Sequence, residues 1–555
     1  MAVPPIQRSP KAAATGPSTG VQRPWALDVV LGLLIVVALP LAIVAIPNTV
    51  SVVARLLPPD IDRISLVRAH GLALPAMMLT VPLAAVALRR MKVAYVLVAG
   101  LALLAVADAA GGFAGSTFLV GVLRVMHGVG AGILLPATLV AAWERAPMVR
   151  AVWTGMLVVS LLCAQALALW PLDGVDRWQV TLQPYPLLTG VALALAAAYL
   201  LLWIVQGESP APVPRARERS RLLFATVPAA AIAVLAISTA SQDWQALLVI
   251  LVAVLSVVAL LALATIGAGE SRTLAYTFAA VGVVLLPSVA QVTFVELGGL
   301  GGPGLKGLWL PFLTAALLAV AAAGCVVRFG AAARSLPTAG LLAIVLGLCA
   351  VRLMVPVADG KLLVVPFTLM AVGASVTLTA ALRTAGMGAA LFGLALCFPG
   401  VLSGYLLGTG VQVMMLRGRQ SAQALIEGFV SALHLWALIG GFVVVAVIVL
   451  AALLARRSAP PPSGTAEPGR DGEPTGPARD QASAWGSVAG PRDEASSDWD
   501  EEGTPTGDLP RVALPTPVNG DRPDPAHTVD NTLVEQDGPL PAVPAPTESP
   551  ERDAD

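Results

Sequence analysis

Fourteen apolar stretches, each about as long as a helix that crosses a bilayer, follow one another between Trp25 and Arg457. The hydrocarbon core of a membrane requires ~20 apolar residues per helix. Because lipid offers no hydrogen-bond partner to an open backbone, each stretch is predicted to be α-helical. The fold class is therefore predicted to be an all-α polytopic membrane protein. The predicted spans are 27–50, 68–88, 93–111, 117–142, 151–171, 185–206, 222–241, 245–266, 275–297, 305–327, 338–357, 361–382, 386–416 and 429–455.

The basic residues fall mainly in alternate gaps between the spans, and this asymmetry predicts the orientation. With the N-terminus inside the cell, the cytoplasmic segments hold 18 Lys and Arg against four Asp and Glu, whereas the outer loops hold eight of each. Such a bias in short loops is what the positive-inside rule describes. We expect a multi-pass protein of the cytoplasmic (inner) membrane, with both termini in the cytoplasm. Its high Ala, Gly and Arg content favours a bacterial source.

The two ends of the chain differ from this core in composition. Residues 1–24 are predicted to be a disordered cytoplasmic leader, and the first span is expected to remain as an anchor because no A-x-A-like cleavage site follows it. Residues 458–555 hold 20 acidic against six basic residues and are rich in Pro. They are predicted to be a disordered acidic tail. Such a tail either keeps the protein soluble or docks a cytoplasmic partner.

A motif in the fourth span carries a family resemblance. Residues 124–139 read RVMHGVGAGILLPATL. This run resembles the R-x-x-Q-G-x-G-A-x-x-x-P stretch of the major facilitator superfamily, with His127 in place of Gln. The Ala-Ile-Pro sequence that ends at Pro47 resembles the Ala-Leu-Pro at the end of that family's first span. The residues of these motifs to which we assign a structural role are Gly128, Gly130, Ala131, Pro136 and Pro47.

Three further segments, at 177–186, 286–311 and 429–457, resemble landmarks of the same family in the same order, and the latter two resemble its fourteen-span drug:proton antiporter branch. The resemblance implies a six-helix half at 25–206, a basic loop with two extra helices at 207–270, and a second six-helix half at 271–457. It places a substrate cavity between the halves. The function that it implies is secondary active transport, in which small amphipathic organic compounds are exported by alternating access and protons supply the coupling.

Several signatures of that branch are missing. Ala38 stands where the branch has an acidic residue in its first span, and no Asp or Glu occurs between Arg63 and Ala107. Residues 164–169 lack the Gly and Pro of the antiporter motif in the fifth span. An alternative is therefore a transport-inactive membrane scaffold or sensor of the same fold that acts through its acidic tail. A third reading is a flippase-like carrier of lipid-linked material.

Ionisable groups inside a membrane are costly, so each one is a candidate site. Asp108 and Arg124 lie ~5 and ~10 Å below the outer edge, at 1.5 Å per residue, and their side chains could meet. Such a pair either responds to protons or substrate, or is a structural salt bridge. His127 shares a helix face with Arg124 and is expected to be neutral and hydrogen-bonded.

Other polar residues in the spans have weaker assignments. Gln165 and Gln291 are placed on spans 5 and 9, where they either bind a polar group of a substrate or tie helices together. Glu296 is expected to be a solvated loop edge, His434 to lie at the membrane interface, and Arg352 to extend to the outer surface.

The sequence gives little support to enzyme chemistry. It contains no Walker A or H-E-x-x-H motif. Its four cysteines lie in four different spans without a C-x-x-C spacing. We therefore predict no catalytic residue, no metal and no cofactor. The expected partners are the lipid bilayer, a small-molecule substrate, protons and a cytoplasmic partner of the tail, but no nucleic acid.

Overall fold

The computed structural model describes residues 24–59, 61–206, 216–241, 245–267, 271–297, 304–329, 335–357 and 360–457. Within these residues the chain is α-helical, with a few 3-10 turns and no β-strand. Residues 1–23 of the predicted leader and the whole predicted tail, 458–555, lie outside the described residues. The α-helices are α1 (Pro24–Ile43), α2 (Arg63–His70), α3 (Ala73–Ala87), α4 (Val93–Gly111), α5 (Thr117–Trp143), α6 (Pro147–Leu169), α7 (Pro186–Gln206), α8 (Ala216–Ser241), α9 (Ala246–Gly267), α10 (Arg272–Glu296), α11 (Gly304–Gly307), α12 (Trp309–Phe329), α13 (Leu336–Met354), α14 (Val364–Thr384), α15 (Met387–Leu416) and α16 (Ala422–Arg457).

Fourteen helical segments of the described chain are long and apolar enough to cross a bilayer, which confirms the predicted number of spans. Helices α2 and α3 together form the second span, and α11 is a short helix in front of α12. Consecutive spans run in opposite directions. We call the side that holds Pro24 the near side and the side that holds Asn48 the far side.

The helices form two sets with the same internal packing. In the first set, α1 packs on α5, α6 and α7, while α5 packs on α3 and α4, and α4 packs on α7. In the second set, α10 packs on α14, α15 and α16, while α14 packs on α12 and α13, and α13 packs on α16. Span for span, the six pairings are identical. The chain therefore contains two copies of one six-span arrangement.

The two sets meet along a seam. Helix α6 packs on α12, α10 and α14 of the second set, and α15 packs on α3 of the first set. At Gly155 of α6, an added Cβ atom would lie 2.9 Å from the Cα atom of Val320 on α12, so the two backbones approach closely. Helix α8 packs on both α3 and α15, and α9 packs on α15. The two extra helices thus lie beside one edge of the seam.

The glycines of the span 4 motif lie where α5 meets its neighbours. A Cβ atom on Gly128 would overlap the carbonyl oxygen of Ala73 on α3. A Cβ atom on Gly130 would lie 3.0 Å from the carbonyl oxygen of Gly100 on α4. Without side chains at these positions the helices pack backbone against backbone, which is a common way for helices to associate in lipid. The other motif residues of α5 are also buried: Ala131 and Pro136.

Candidate functional site

The first span stops being helical before it reaches the far side. Helix α1 ends at Ile43, so the prediction of a helix to residue 50 is wrong. Pro47 has no N–H group to donate to the carbonyl of Ile43, which disfavours continuation of the helix at this point. The residues that follow, Val44 to Pro47, are buried in protein. Non-helical backbone at this depth is tolerated only where its polar groups find partners.

Arg124 of α5 donates hydrogen bonds to backbone carbonyl groups at two helix breaks. Its Nη2 atom donates to the carbonyl oxygen of Ala45, in the unwound part of the first span. Its Nε atom donates at 3.0 Å to the carbonyl oxygen of His70, where α2 ends and the second span is interrupted. The side chain is almost fully buried, with 3% of its surface exposed. One guanidinium group therefore ties two broken spans to α5.

Asp108, near the far end of α4, is buried beside α5 and α7. The hydroxyl of Thr189 on α7 donates to its Oδ2 atom at 2.5 Å. The Nδ1 atom of His127 lies 3.3 Å from its Oδ1 atom. The other ring nitrogen of His127 lies 3.4 Å from the carbonyl oxygen of Leu41 on α1. Together with Arg124 and His70, these three side chains form what we call the Asp108 cluster.

The predicted direct bridge between Asp108 and Arg124 is wrong. Among the described residues, the hydrogen bonds of Arg124 go to two backbone carbonyls, and the ion-pair contact of Asp108 is with His127. The helix breaks explain the difference, because the carbonyls that they release are fixed acceptors within reach of the guanidinium group. The predicted hydrogen bonding of His127 is seen in its contact with the carbonyl oxygen of Leu41.

His70 belongs to the cluster although the sequence did not single it out. The side chain is 1% exposed, and both ring nitrogens lack a hydrogen-bond partner among the described residues. The second span was predicted to begin at residue 68, which placed His70 at the membrane edge. The signal that could have found it is its position directly before Gly71, because a helix break inside a span brings buried backbone and polar side chains together.

Gln165 of α6 and Gln291 of α10 lie at matching depths on helices that pack against each other across the seam. They stand four and five residues before the far ends of their helices. Both side chains are buried, at 2% and 7% exposure. The Nε2 atom of Gln165 and the Oε1 atom of Gln291 have no hydrogen-bond partner among the described residues. Each of these two helices therefore carries one buried amide with an unpaired atom.

Further buried polar atoms without partners lie on two helices of the second set that contact the first set. Thr368, Ser375 and Thr379 of α14 are spaced by seven and four residues, so they share one face of that helix. Their hydroxyl oxygens and that of Tyr405 on α15 have no hydrogen-bond partner among the described residues. With the two glutamines, six such side chains lie on α6, α10, α14 and α15, all of which contact the opposite set.

Glu296 is not the solvated loop edge that the sequence predicted. Its side chain, at the end of α10, is fully buried at 0% exposure. Its Oε1 atom accepts the backbone N–H of Val357 at 3.0 Å, and its Oε2 atom has no partner among the described residues. The chain segment between α13 and α14 returns over the end of α10 and covers the carboxyl group. Periodicity in one span gives no sign of this contact.

The two remaining candidates are tied to the same segment. The Nε2 atom of His434 on α16 lies 2.9 Å from the carbonyl oxygen of Val355. Arg352 of α13 is exposed, as predicted, and donates to the carbonyl oxygen of His434 at 3.2 Å. The far end of the second set is therefore held by hydrogen bonds between α10, α13 and α16.

No group of His, Cys, Asp or Glu in the described part of the chain could hold a metal ion. All four cysteines are free and stand on different helices.

Comparisons with known proteins give a likeness at the level of structure. Neither a protein-family model nor a curated protein sequence matches the chain. A partially occluded inward-open structure of the xylose transporter XylE from E. coli is 13% identical, with a TM-score of 0.47, over 79% of this chain and 99% of that chain. The major facilitator superfamily proton:xylose symporter XylE bound to 6-bromo-6-deoxy-D-glucose has the same identity and TM-score, over 79% and 97%. The human organic anion transporter MFSD10 (TETRAN) is 14% identical, with a TM-score of 0.46, over 75% and 99%. Likeness at this level does not assign the chain to a family.

Proposed function

We propose that the chain is a secondary active transporter of the major facilitator type that exports small amphipathic organic compounds by alternating access. Its architecture supports this proposal, because two copies of one six-span arrangement meet along a single seam. Two such bodies can rock against each other and expose the seam to one side of the membrane at a time. Export, rather than uptake, is supported by the sequence resemblance to the drug:proton antiporter branch.

The observation that carries the proposal is the set of unpaired polar side chains on the helices that form the seam. A buried polar group without a hydrogen bond costs about 1–3 kcal/mol. Six such groups on helices that contact the opposite set would lower the stability of a bundle that never opens. Water or a polar part of a substrate, entering when the seam opens, would satisfy them. A transport pathway therefore accounts for an arrangement that a scaffold does not need.

The composition of the seam supports an amphipathic substrate. Gln291 stands on α10 among buried apolar residues such as Leu286, Val289 and Val292. A ligand there would bury apolar surface against these side chains and would place a polar group at the amides of Gln291 and Gln165. Pockets with a few polar groups in an apolar lining are typical of small-molecule sites.

We propose that the Asp108 cluster serves the transport cycle indirectly. It joins five of the six spans of the first set through side-chain contacts and through the carbonyls at two helix breaks. A set held in this way moves as one body. In this role Asp108, Arg124 and His127 are positioning residues rather than ligands of the substrate.

For the orientation we propose that the near side is cytoplasmic. Basic residues at the near-side ends of the described helices support this orientation under the positive-inside rule. They are Arg89, Arg90, Lys92, Arg145, Arg150, Arg272, Arg328 and Arg383.

The proposal can be tested with a fluorescent dye and one pair of variants on the same helix. The full-length protein in proteoliposomes should accumulate ethidium when a pH gradient, acid inside, is imposed. Gln291→Leu should raise the ethidium concentration for half-maximal transport about 2–10-fold, because one hydrogen bond contributes about 0.5–1.5 kcal/mol. Initial rates of dye uptake over a range of concentrations give this value.

Thr293→Val is the matched control. Thr293 is also buried on α10, but its hydroxyl already donates to the carbonyl of Val289 at 2.8 Å, within the same helix. Its replacement should leave ethidium transport unchanged. If the two variants behave alike, the unpaired amide has no part in transport. If the wild-type protein moves no dye under any gradient, while deletion of residues 458–555 abolishes binding of a cytoplasmic partner, the scaffold function replaces the transporter.

A further inference from the structure

Each of the two six-span sets contains one buried carboxyl group among the described residues of its spans. These are Asp108 in the first set and Glu296 in the second, and both lie at the far side. Their surroundings differ. Asp108 accepts the hydroxyl of Thr189 at Oδ2, while its Oδ1 atom has no hydrogen bond but lies 3.3 Å from the Nδ1 atom of His127. Glu296 accepts one backbone N–H, from Val357, and its second oxygen has no partner.

The surroundings decide which carboxyl group favours a bound proton. An ionised carboxylate in a buried site is costly unless a cation or several donors offset the loss of hydration. For Asp108 a hydroxyl, an imidazole and the nearby guanidinium group of Arg124 provide this compensation. For Glu296 a single backbone donor does not, and no described cation lies within ion-pair distance. A bound proton would remove the cost of an uncompensated charge at Glu296.

The charged and titratable groups described on the elements packed around Glu296 do not pair with its carboxyl group, so they do not offset the charge of its ionised form. His434 on α16 is bonded to the carbonyl of Val355, and Arg352 on α13 is bonded to the carbonyl of His434. Lys306 on α11 pairs with Asp173 at 3.3 Å. Lys361, before α14, is exposed. The far halves of α6, α9, α14 and α15 contain no charged residue, and their titratable groups are Cys163 and Tyr405.

We propose that Glu296 is the residue of the second set that binds the coupling proton. This inference rests on the proposed transport function and names the ion and the residue that couple it. The Oε2 atom takes a proton from water on the far side, which converts the carboxylate into a neutral carboxyl group, while Oε1 remains the acceptor of the Val357 N–H. Release of the same proton restores the carboxylate. The proton gradient drives transport if the proton binds while the seam is open to one side of the membrane and leaves while the seam is open to the other side.

The contact with Val357 gives this proton a structural effect. A carboxylate holds a backbone N–H more strongly than a neutral carboxyl group does, because hydrogen bonds to charged groups are stronger. Proton binding therefore weakens the hydrogen bond between Glu296 of α10 and the segment between α13 and α14. That segment is also held by His434 of α16. Protonation is thereby linked to the packing of three spans at the far side.

Glu296→Gln tests the proposal, because glutamine keeps the size of the side chain and an oxygen that accepts the Val357 N–H. Infrared difference spectra of the full-length protein, titrated with acid in proteoliposomes, report the C=O stretch of a protonated buried carboxyl group. The wild type should show this band and the variant should lose it. Glu427→Gln removes an exposed glutamate of α16, and it should keep the band. Asp108→Asn should keep it as well.

Transport gives the second readout. Glu296→Gln should lose ethidium accumulation driven by a pH gradient but should still exchange ethidium across the membrane without a gradient. Gradient-driven accumulation at the wild-type level, or a buried carboxyl band that survives in Glu296→Gln, overturns the proposal. If the wild type moves no ethidium at all, the transport function fails, and the coupling role of Glu296 fails with it. The infrared band would then still show whether Glu296 binds the proton.

Discussion

Arg124→Ala is expected to lower the free energy of unfolding by about 2–6 kcal/mol, because it leaves two buried carbonyls unpaired at about 1–3 kcal/mol each. The two acceptors, Ala45 and His70, stand at the breaks of the first and second spans. Arg124→Lys should lose about half as much, because a lysine ammonium group lacks the planar fork that reaches both carbonyls. Denaturation with SDS in mixed micelles, followed by circular dichroism, measures the free energy of unfolding.

Arg352→Ala is the control for this prediction. Arg352 is an exposed arginine at the far side whose one described hydrogen bond also goes to a carbonyl, that of His434. Its removal should change the stability by no more than about 0.5 kcal/mol, since the carbonyl that it leaves is accessible to solvent or lipid headgroups. An Arg124→Ala protein as stable as the Arg352→Ala protein would contradict the structural role given to Arg124.

The spans could be predicted from the sequence because their cause is local. An apolar stretch of sufficient length has no other stable form in lipid, whatever its neighbours are. The end of the first span could not be predicted in the same way. Residues 44–47 are as apolar as a helix would be. Only the missing N–H of Pro47 and a donor for the released carbonyl of Ala45, Arg124, mark the end of the helix.

The site was predictable in its residues but not in its contacts. The rule that an ionisable group in a membrane is a candidate picked out Asp108, Arg124 and His127, and all three are buried. Their partners, however, are backbone carbonyls and a threonine that stand between 54 and 86 positions away in the chain. No periodicity within one span reports on them. The burial of Glu296 could not be predicted for the same reason, because Val357, which covers its carboxyl group, lies 61 positions later in the chain.

The halves of the molecule differ in how their far ends are held, and this difference bears on the mechanism. The first set is joined by a charged cluster in which Asp108 and Arg124 each have several partners. In the second set, Glu296 and His434 each form a hydrogen bond with the same backbone segment, which follows α13. A carboxyl group with one backbone donor and no cation beside it gains more from a bound proton than one that lies beside an imidazole and a guanidinium group. We therefore expect the second set to respond to protons and the first to act as the rigid counterpart.

Gly282→Ala and Gly404→Ala are each expected to destabilise the second set by about 1–3 kcal/mol or more, the usual cost of overpacking a filled interior. A Cβ atom at Gly282 on α10 would overlap the carbonyl oxygen of Cys397 on α15. A Cβ atom at Gly404 on α15 would overlap the carbonyl oxygen of Val283 on α10. In both cases the obstacle is backbone, so the two helices must move apart. The thermal midpoint of the detergent-solubilised protein should fall for both variants.

Gly441→Ala separates this packing effect from the general effect of adding a methyl group. Gly441 stands on α16 with no atom near enough to meet a Cβ, so the substitution is free of steric cost. Because alanine favours the helix over glycine by roughly 0.5–1 kcal/mol, this variant should be as stable as the wild type or slightly more stable. A loss of stability in Gly441→Ala equal to that in Gly282→Ala would mean that the close approach of α10 and α15 does not hold the second set together. Opposite signs for the two variants would show that the backbone contact between α10 and α15, and not the added methyl group as such, determines the loss of stability.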